Sequence, residues 1–319
     1  MANVTTVDVT TLTGSDTFPA NANDIYGLIE TIASQNIRNA ISTNRIVDGF
    51  YNYDVTDGSV LEEAIIAMAE KQDFTKTGNP DLSPKDPKLY VKYFNNWETA
   101  QFKTSTRLAD IRKIIATGKG AGAEAVASGI IATLTEGEGD YDYLKMRGII
   151  DNTAVGVDAS TSVFGNKKPK TAKGIIYCAR EMYNAIKATN QIGGALTKYG
   201  VPVDDIRIAI SESALNLMDV TELANVFNLS KEELFGKMVV LPYKEGDEGK
   251  NMLVYDVRAL GRGTRLYEFS QDVVGAGLYT NHYLTTDRIY FYNKLYKCLR
   301  LDLSPAIANA KGELLVAND

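Results

Sequence analysis

One histidine, one tryptophan and two cysteines are all the chain offers among the rarer chemistry-bearing residue types. With His282 alone, a multi-histidine metal site is excluded, and imidazole acid–base chemistry has no second imidazole to draw on. Cys178 and Cys298 are too few for a disulfide framework, so a reducing compartment is expected. No Gly-x-Ser-x-Gly elbow occurs, which removes the commonest setting for a nucleophilic serine. No apolar run approaches the roughly 18 residues a bilayer requires. The first ten residues lack a basic start and an apolar stretch, so they do not read as a signal peptide. These absences lead us to expect a soluble protein made in the cytosol. The formal charge of −6 and a pI near 5.1 also argue against a nucleic-acid surface built on sheer number of cations.

What is present is a chain of 319 residues with 45% hydrophobic side chains, enough for about two domains or one domain with large excursions. Residues 1–24 are rich in Thr, Asn and Asp and read as an extended arm. Residues 25–41 carry Ile25, Leu28, Ile29 and Ile32 at helical spacing. Val60 to Glu70 fits helix or strand, and its Ala and Glu content favours helix. Thr75 to Lys88 contains Pro80, Pro84 and Pro87 and fits neither. Leu89 to Phe94, and on to Thr104, is β-rich. Two flanks around a proline-rich tip predict a long projecting loop, a shape that is usually functional or interface-forming.

The centre is helical, over Leu108–Ile115, Ala123–Leu134 and Asp140–Ile150. Gly118 to Gly122 reads as a joint, and Asp140 as an N-cap. Thr171 to Thr189 predicts a helix burying Ile175, Cys178, Ala179, Met182 and Ile186. Ile206 to Ile210 alternates as a strand. Short helices are expected at Ser213–Asp219 and Thr221–Phe227, with a capping box at Ser230–Glu233 and a stop at Gly236. Strands are expected at Met238–Tyr243 and Met252–Leu260, joined by the polar turn Glu245–Gly249, and almost throughout residues 264–303. There is no internal repeat, and the class is mixed α+β.

Each motif has a bland reading that outweighs the chemical one. Gly118-Lys119-Gly120-Ala121-Gly122 lacks the Ser or Thr of a Walker loop and the strand before a dinucleotide loop. The run Glu136, Glu138, Asp140, Asp142 lacks calcium-loop spacing, and its carboxylates suit a solvated helix start. Lys167, Lys168, Lys170 and Lys173 read first as a solvated loop, with phosphate contact as the functional alternative. His282 has no poised nucleophile and reads as a packing residue. The matches at Asn3-Val4-Thr5 and Asn228-Leu229-Ser230 to a glycosylation pattern lack a secretory context. Eighteen tyrosines, many in the C-terminal strands, fit either strand composition or an interface. No catalytic, cofactor-binding or metal-binding residue is therefore assigned, and no cofactor is expected.

Ile206 to Leu215, Met218 to Ser230 and Glu233 to Leu241 resemble the axial-domain segment of major head proteins of small short-tailed phages of the Phi29 type. That family has the tailed-phage capsid fold, called HK97-like. Gly139 to Met146 is similar to the acidic, tyrosine-bearing end of the family's spine helix, and Gly277 to Tyr283 to its aromatic strand after the axial domain. The resemblance implies an N-terminal arm over residues 1–48 and an extended loop over 49–104. It further implies a peripheral domain with the spine helix over 105–165 and 262–319, and an axial domain over 166–261. The small residues of Gly118 to Gly122 depart from a smooth spine helix.

The implied function is a structural major capsid protein, not an enzyme, that self-assembles through hexamers and pentamers into an icosahedral or prolate head shell around phage double-stranded DNA. A scaffolding protein and a portal or connector are the implied partners, with DNA touched only weakly and non-specifically, and no membrane. The implied location is the virion, assembled in the host cytoplasm. An arm and a loop that overlap neighbouring copies would supply contact area beyond what one compact core offers, and an acidic wall would repel packaged DNA. An encapsulin-like shell or another virion protein, of a tail or connector, stands as the alternative.

Overall fold

The structure is a computed structural model that describes residues 45–55, 60–69, 86–107, 109–110, 113, 120–188, 190–192, 195–198, 200–218, 237–242, 251–274 and 279–315. The expected arm and first helix lie outside these residues. So do most of the proline-rich tip, most of Leu108–Ile115, the Thr221–Phe227 helix, the Ser230 capping box with Gly236, and the polar turn after Tyr243.

Two compact units divide the chain. The larger unit holds Arg45–Asn96, Tyr143–Gly263 and Ile289–Asp319. Its centre is a five-stranded sheet built from β5 (Val157–Asp158), β8 (Ile206–Ser211), β9 (Met238–Leu241), β10 (Asn251–Asp256) and β13 (Cys298–Asp302), in the order β5-β13-β10-β8-β9. β10 pairs antiparallel with β8 and β13, while β8–β9 and β13–β5 are parallel. Alternation sorts the side chains onto two faces. Ile206, Ile208 and Ile210 point to the same core as Met252, Val254, Leu299 and Leu301. Ala209, Leu253 and Tyr255 join Val239, Leu241, Met146 and Ile150 in the other. A strand covered on both faces reads as a continuous apolar run, which is the pattern of Met252-Leu253-Val254-Tyr255.

Helix α3 (Ala172–Ala188) covers the first face with Ile175, Cys178, Ala179, Met182 and Ile186, all buried as the sequence predicts. Two short helices precede and follow it: α2 (Ala159–Ser162), capped by Asp158, and α4 (Glu212–Leu215), capped by Ser211. The minor hairpin β6 (Asn190–Ile192) and β7 (Ala195–Lys198) and the C-terminal helix α5 (Ser304–Leu315) complete the larger unit's described elements beyond those taken up below.

Helix α1 (Gly120–Asp151) is one uninterrupted helix of 32 residues, where the sequence predicts a long, nearly continuous helical region with a break between Leu134 and Asp140. Asp140 is therefore an interior residue and not an N-cap, and Gly120 to Gly122 lie in the helix. The reason is a stripe at four-residue steps: Ile130, Leu134, Glu138, Asp142, Met146 and Ile150 are all buried. Tertiary burial along one face outweighs the roughly 1 kcal/mol that each interior glycine costs. The helix ends where Arg300 donates to the carbonyls of Ile150 and, at 2.8 Å, Val155, a cation at the negative end of the helix.

The smaller unit holds, among the described residues, Trp97–Asp142 and Thr264–Arg288. It contains β4 (Glu98–Arg107) with most of the long strands β11 (Leu260–Val274) and β12 (Tyr279–Tyr292). With β1 (Tyr51–Asp54) the sheet order is β1-β11-β12-β4, and β4 runs antiparallel to β12 from Tyr279↔Arg107 to Arg288↔Glu98.

Two more expectations are corrected here. Where a helix is favoured over Val60 to Glu70, Leu61–Ile66 is strand β2, paired antiparallel with β3 (Leu89–Phe94) from Leu61↔Phe94 to Ile66↔Leu89. The Ala67 amide extends the ladder to the Lys88 carbonyl at 2.8 Å. A cross-strand partner overrides the weak helix preference of Ala and Glu. The expected strand Met252–Leu260 is broken at Val257–Ala259 by a 3-10 turn, because the Asp256 carboxylate accepts from the Arg258 amide at 3.1 Å.

Candidate functional site

The polar residues singled out in the sequence do not converge. His282 is fully buried in β12, its Nε2 2.8 Å from Thr106 Oγ1 on β4 and its ring stacked on Phe269 of β11. Burial pulls its pKa down to about 4, so the imidazole is neutral near pH 7. The thiols of Cys178 and Cys298 are both buried, and burial pushes them up to about 11 and about 12, away from the reactive thiolate form. Among the described residues, no group of three or more His, Cys, Asp or Glu is placed to hold a metal ion.

The acidic run behaves differently from the expected solvated helix start. Glu136 and Asp140 are exposed, whereas Glu138 and Asp142 are 6% and 2% exposed. Both face Arg288 of β12, itself 7% exposed, whose Nη1 lies 3.0 Å from Asp142 Oδ1 and also contacts Glu138. The guanidinium sits over the Tyr267 ring at 5.6 Å. A helical period of 3.6 puts residues four apart on one side, so every second acid of the run turns inward. This arrangement joins a helix to a sheet. Next to it, Arg265 Nε donates to Asp287 at 2.7 Å and lies over Trp97 at 4.7 Å, tying β11, β12 and the start of β4 together.

The sequence predicts a projecting loop around the proline-rich tip but not what holds the β2–β3 hairpin. One face of the hairpin is anchored. Phe94 stacks on Phe291 of β12, with centroids 3.8 Å apart and planes at 24°. Tyr53 of β1 packs on the same Phe291 ring at 5.3 Å. The Tyr296 hydroxyl donates to the Glu63 carboxylate, and the Arg258 guanidinium lies 4.5 Å over the Tyr296 ring. Arg258 is itself held by the buried Asp256, at 3.0 and 2.7 Å. No local sequence signal marks these pairs, which join residues up to 233 positions apart.

The other face is apolar and open. Ile66 and Leu89 form a cross-strand pair, 60% and 59% exposed, and further along the same face Tyr93, opposite Glu62, is 60% exposed. Met68 extends the patch. A grouped apolar patch on an exposed hairpin marks a contact surface far more often than scattered surface residues do. The edge of the second sheet offers the other means of association: β4 is an outer strand ten residues long with regularly alternating exposure. Among the described residues no strand pairs with its outer edge, and an edge of that length is a template for another chain.

A cavity of about 400 Å³ lies beside the C-terminal end of α3, lined by Val157, Val163, Tyr292, Lys297 and Cys298 among others. Burial lowers the Lys297 pKa, and its ammonium donates to the Ala185 carbonyl at 2.5 Å, which is a capping arrangement.

Solved phage structures share the fold. The chain is similar to one from the capsid of Staphylococcus phage Andhra, with 10% identity, a TM-score of 0.59, and 82% of this chain and 85% of that chain covered. It is also similar to a chain in the structure of the head fiber and inner core protein gp22 of native bacteriophage P68. There the identity is 11% and the TM-score 0.52, with 82% and 84% covered. No curated protein matches by sequence. The class is thus a mixed α+β protein of the HK97-like capsid fold. The family model for the Phi29-like phage major capsid protein matches residues 2–301, and the chain belongs to that family. It is a shell-forming structural protein of the phage virion, which favours the phage head over the encapsulin-like alternative.

Proposed function

We propose that the chain assembles as hexamers and pentamers into a closed icosahedral or prolate head that encloses double-stranded DNA, and that it catalyses no reaction. Assembly takes place in the host cytoplasm around a scaffolding protein and from a portal or connector, and the packaged DNA is touched weakly and without sequence preference. Residues 1–48 act as the arm and 49–104 as the extended loop, 105–165 and 262–319 form the peripheral domain with the spine helix, and 166–261 form the axial domain.

The observation that carries the reading is the β2–β3 hairpin. One face is locked down by Phe94 and Glu63, while the other presents Ile66, Leu89 and Tyr93 to the outside. Within a lattice that open face is covered by a neighbouring copy, so its burial is gained only on assembly. The test is the double variant Ile66→Glu/Leu89→Glu. Both side chains are exposed, so the free subunit should keep its thermal transition. Electron micrographs of the wild type under assembly conditions should show closed particles, and those of the variant none. Normal particles from the variant, with wild-type yield, would overturn the hairpin's role.

A further inference from the structure

The net charge of −6 hides a basic row. Helix α3 buries Ile175, Cys178, Ala179, Met182 and Ile186 and turns Lys173, Tyr177, Arg180, Asn184 and Lys187 outward. These five follow steps of four, three, four and three residues, so they lie in one line on a single helix face. At 1.5 Å per residue the line is about 21 Å long. In sequence it is preceded by Lys170 and Lys167, both exposed. No carboxylate falls in the line. Of the neighbouring lysines, Lys168 is paired, with Asp302 at 2.8 Å.

One of these cations is placed against the helix dipole, whereas Lys187 in the last turn suits it. Lys173 sits in the first turn, where the helix already presents partial positive charge, and that turn has no acidic residue to offset it. The turn is also capped from within, because Thr171 Oγ1 accepts from the Gly174 amide at 3.2 Å. Lys167, Lys170, Lys173 and the helix end therefore add their potentials, which favours an anion from outside the chain.

We propose that this row is the face through which the subunit touches the phosphate backbone of duplex DNA, weakly and without reading its sequence. The inference rests on the proposed enclosure of double-stranded DNA. Ammonium, guanidinium, phenol and carboxamide groups are all donors of the kind that contact phosphate oxygens. A duplex offers one negative charge per about 1.7 Å of its axis, so cations roughly 10 Å apart meet phosphate in any register and any sequence. A protein partner would call for a desolvated apolar anchor at the centre of the contact, and this row has only the Tyr177 ring. The row supplies few cations to an otherwise acidic subunit, so each contact is weak and many copies act together.

The test compares the full-length protein with its Lys173→Gln/Arg180→Gln/Lys187→Gln variant, binding two short fluorescent duplexes of unrelated sequence across a salt series. The three side chains are exposed and glutamine is a good helix former, so the far-ultraviolet circular dichroism should be unchanged. The wild type should bind both duplexes alike. In the variant, the slope of log affinity against log salt should shrink by between two and three, the counterions of about three phosphates. An unchanged slope overturns the proposal. So does tighter wild-type binding to a polyglutamate peptide than to duplex, which would assign the row to an acidic protein. Particle formation is scored separately by electron microscopy. Normal particles with an unchanged slope overturn the DNA face alone, whereas absence of wild-type particles overturns the enclosing role on which it rests.

Discussion

Phe94 and Phe291 stack with ring centroids 3.8 Å apart, and through that pair the β2–β3 hairpin is fastened to the end of β12. Both rings are buried, and Tyr53 closes over the same Phe291. Phe291→Ala should therefore lower the unfolding free energy by about 3–5 kcal/mol, the usual cost of truncating a buried phenylalanine. Urea denaturation of the unassembled subunit measures it. A loss below about 1 kcal/mol would show that the stack does not hold the hairpin.

Gly261 sets the depth of that ring. A methyl group at this position would overlap the Phe291 ring itself. Gly261→Ala should thus cost stability by overpacking, about 1–3 kcal/mol. The double variant Gly261→Ala/Phe291→Leu, with a smaller side chain opposite, should recover part of the loss. If the single variant is neutral in the same urea measurement, the ring is free to move aside and the packing account fails.

The Tyr296–Glu63 hydrogen bond is the hairpin's second tie. Tyr296→Phe keeps the ring under Arg258 and removes only the donor, leaving Glu63 to solvent. The expected global cost is about 1 kcal/mol. Hairpin opening should increase more visibly, as faster limited proteolysis between Ala67 and Leu89. Equal cleavage rates for variant and wild type would refute the tie.

Much of the larger unit was legible because its signals are local. The face Ile175, Cys178, Ala179, Met182 and Ile186 is written at helical spacing and is buried as read, and Ile206 to Ile210 alternates as a strand does. What the chain could not disclose locally depends on partners far along it. Glu138 and Asp142 occupy core positions facing Arg288, a countercharge 150 residues along the chain from Glu138. The glycines between the acids then point a local reading toward a solvated helix start. Leu61–Ile66 is a strand because Leu89–Phe94 lies beside it. Of the candidate surface, the β-rich Leu89–Phe94 announced one strand of the hairpin, but its partner Leu61–Ile66 reads as helix, and nothing nearby announced Phe291 or Tyr296.

His282 gives the fold a pH dependence whose sign follows from its burial. Its pKa falls from 6.5 to about 4 on folding. The unfolded chain therefore binds the proton first as pH drops. Stability should fall as pH is lowered from about 6.5 towards 4, by roughly 3 kcal/mol from this group, and level off below. His282→Gln removes that slope. Unfolding free energies at a series of pH values should converge for wild type and variant in acid and diverge near neutrality. Parallel profiles would show that the imidazole titrates normally in the fold.

The Glu138–Arg288–Asp142 cluster allows a sharper test, because its two kinds of deletion have different consequences. Arg288→Met keeps the unbranched stem but removes the guanidinium and its charge, leaving two carboxylates four residues apart on α1, both almost inaccessible to water. Stranding buried charge in this way costs about 3–5 kcal/mol. Glu138→Gln removes one of two like charges that share a single guanidinium and leaves a group that still accepts a hydrogen bond. Its cost should stay near 1 kcal/mol. Restoring balance in the variant Glu138→Gln/Asp142→Asn/Arg288→Met should then recover much of what Arg288→Met alone loses, a coupling that a purely steric role for Arg288 would not produce. Urea midpoints of the three variants at neutral pH decide the matter. If Arg288→Met and the triple variant unfold together, the guanidinium holds the helix against the sheet by packing and not by charge.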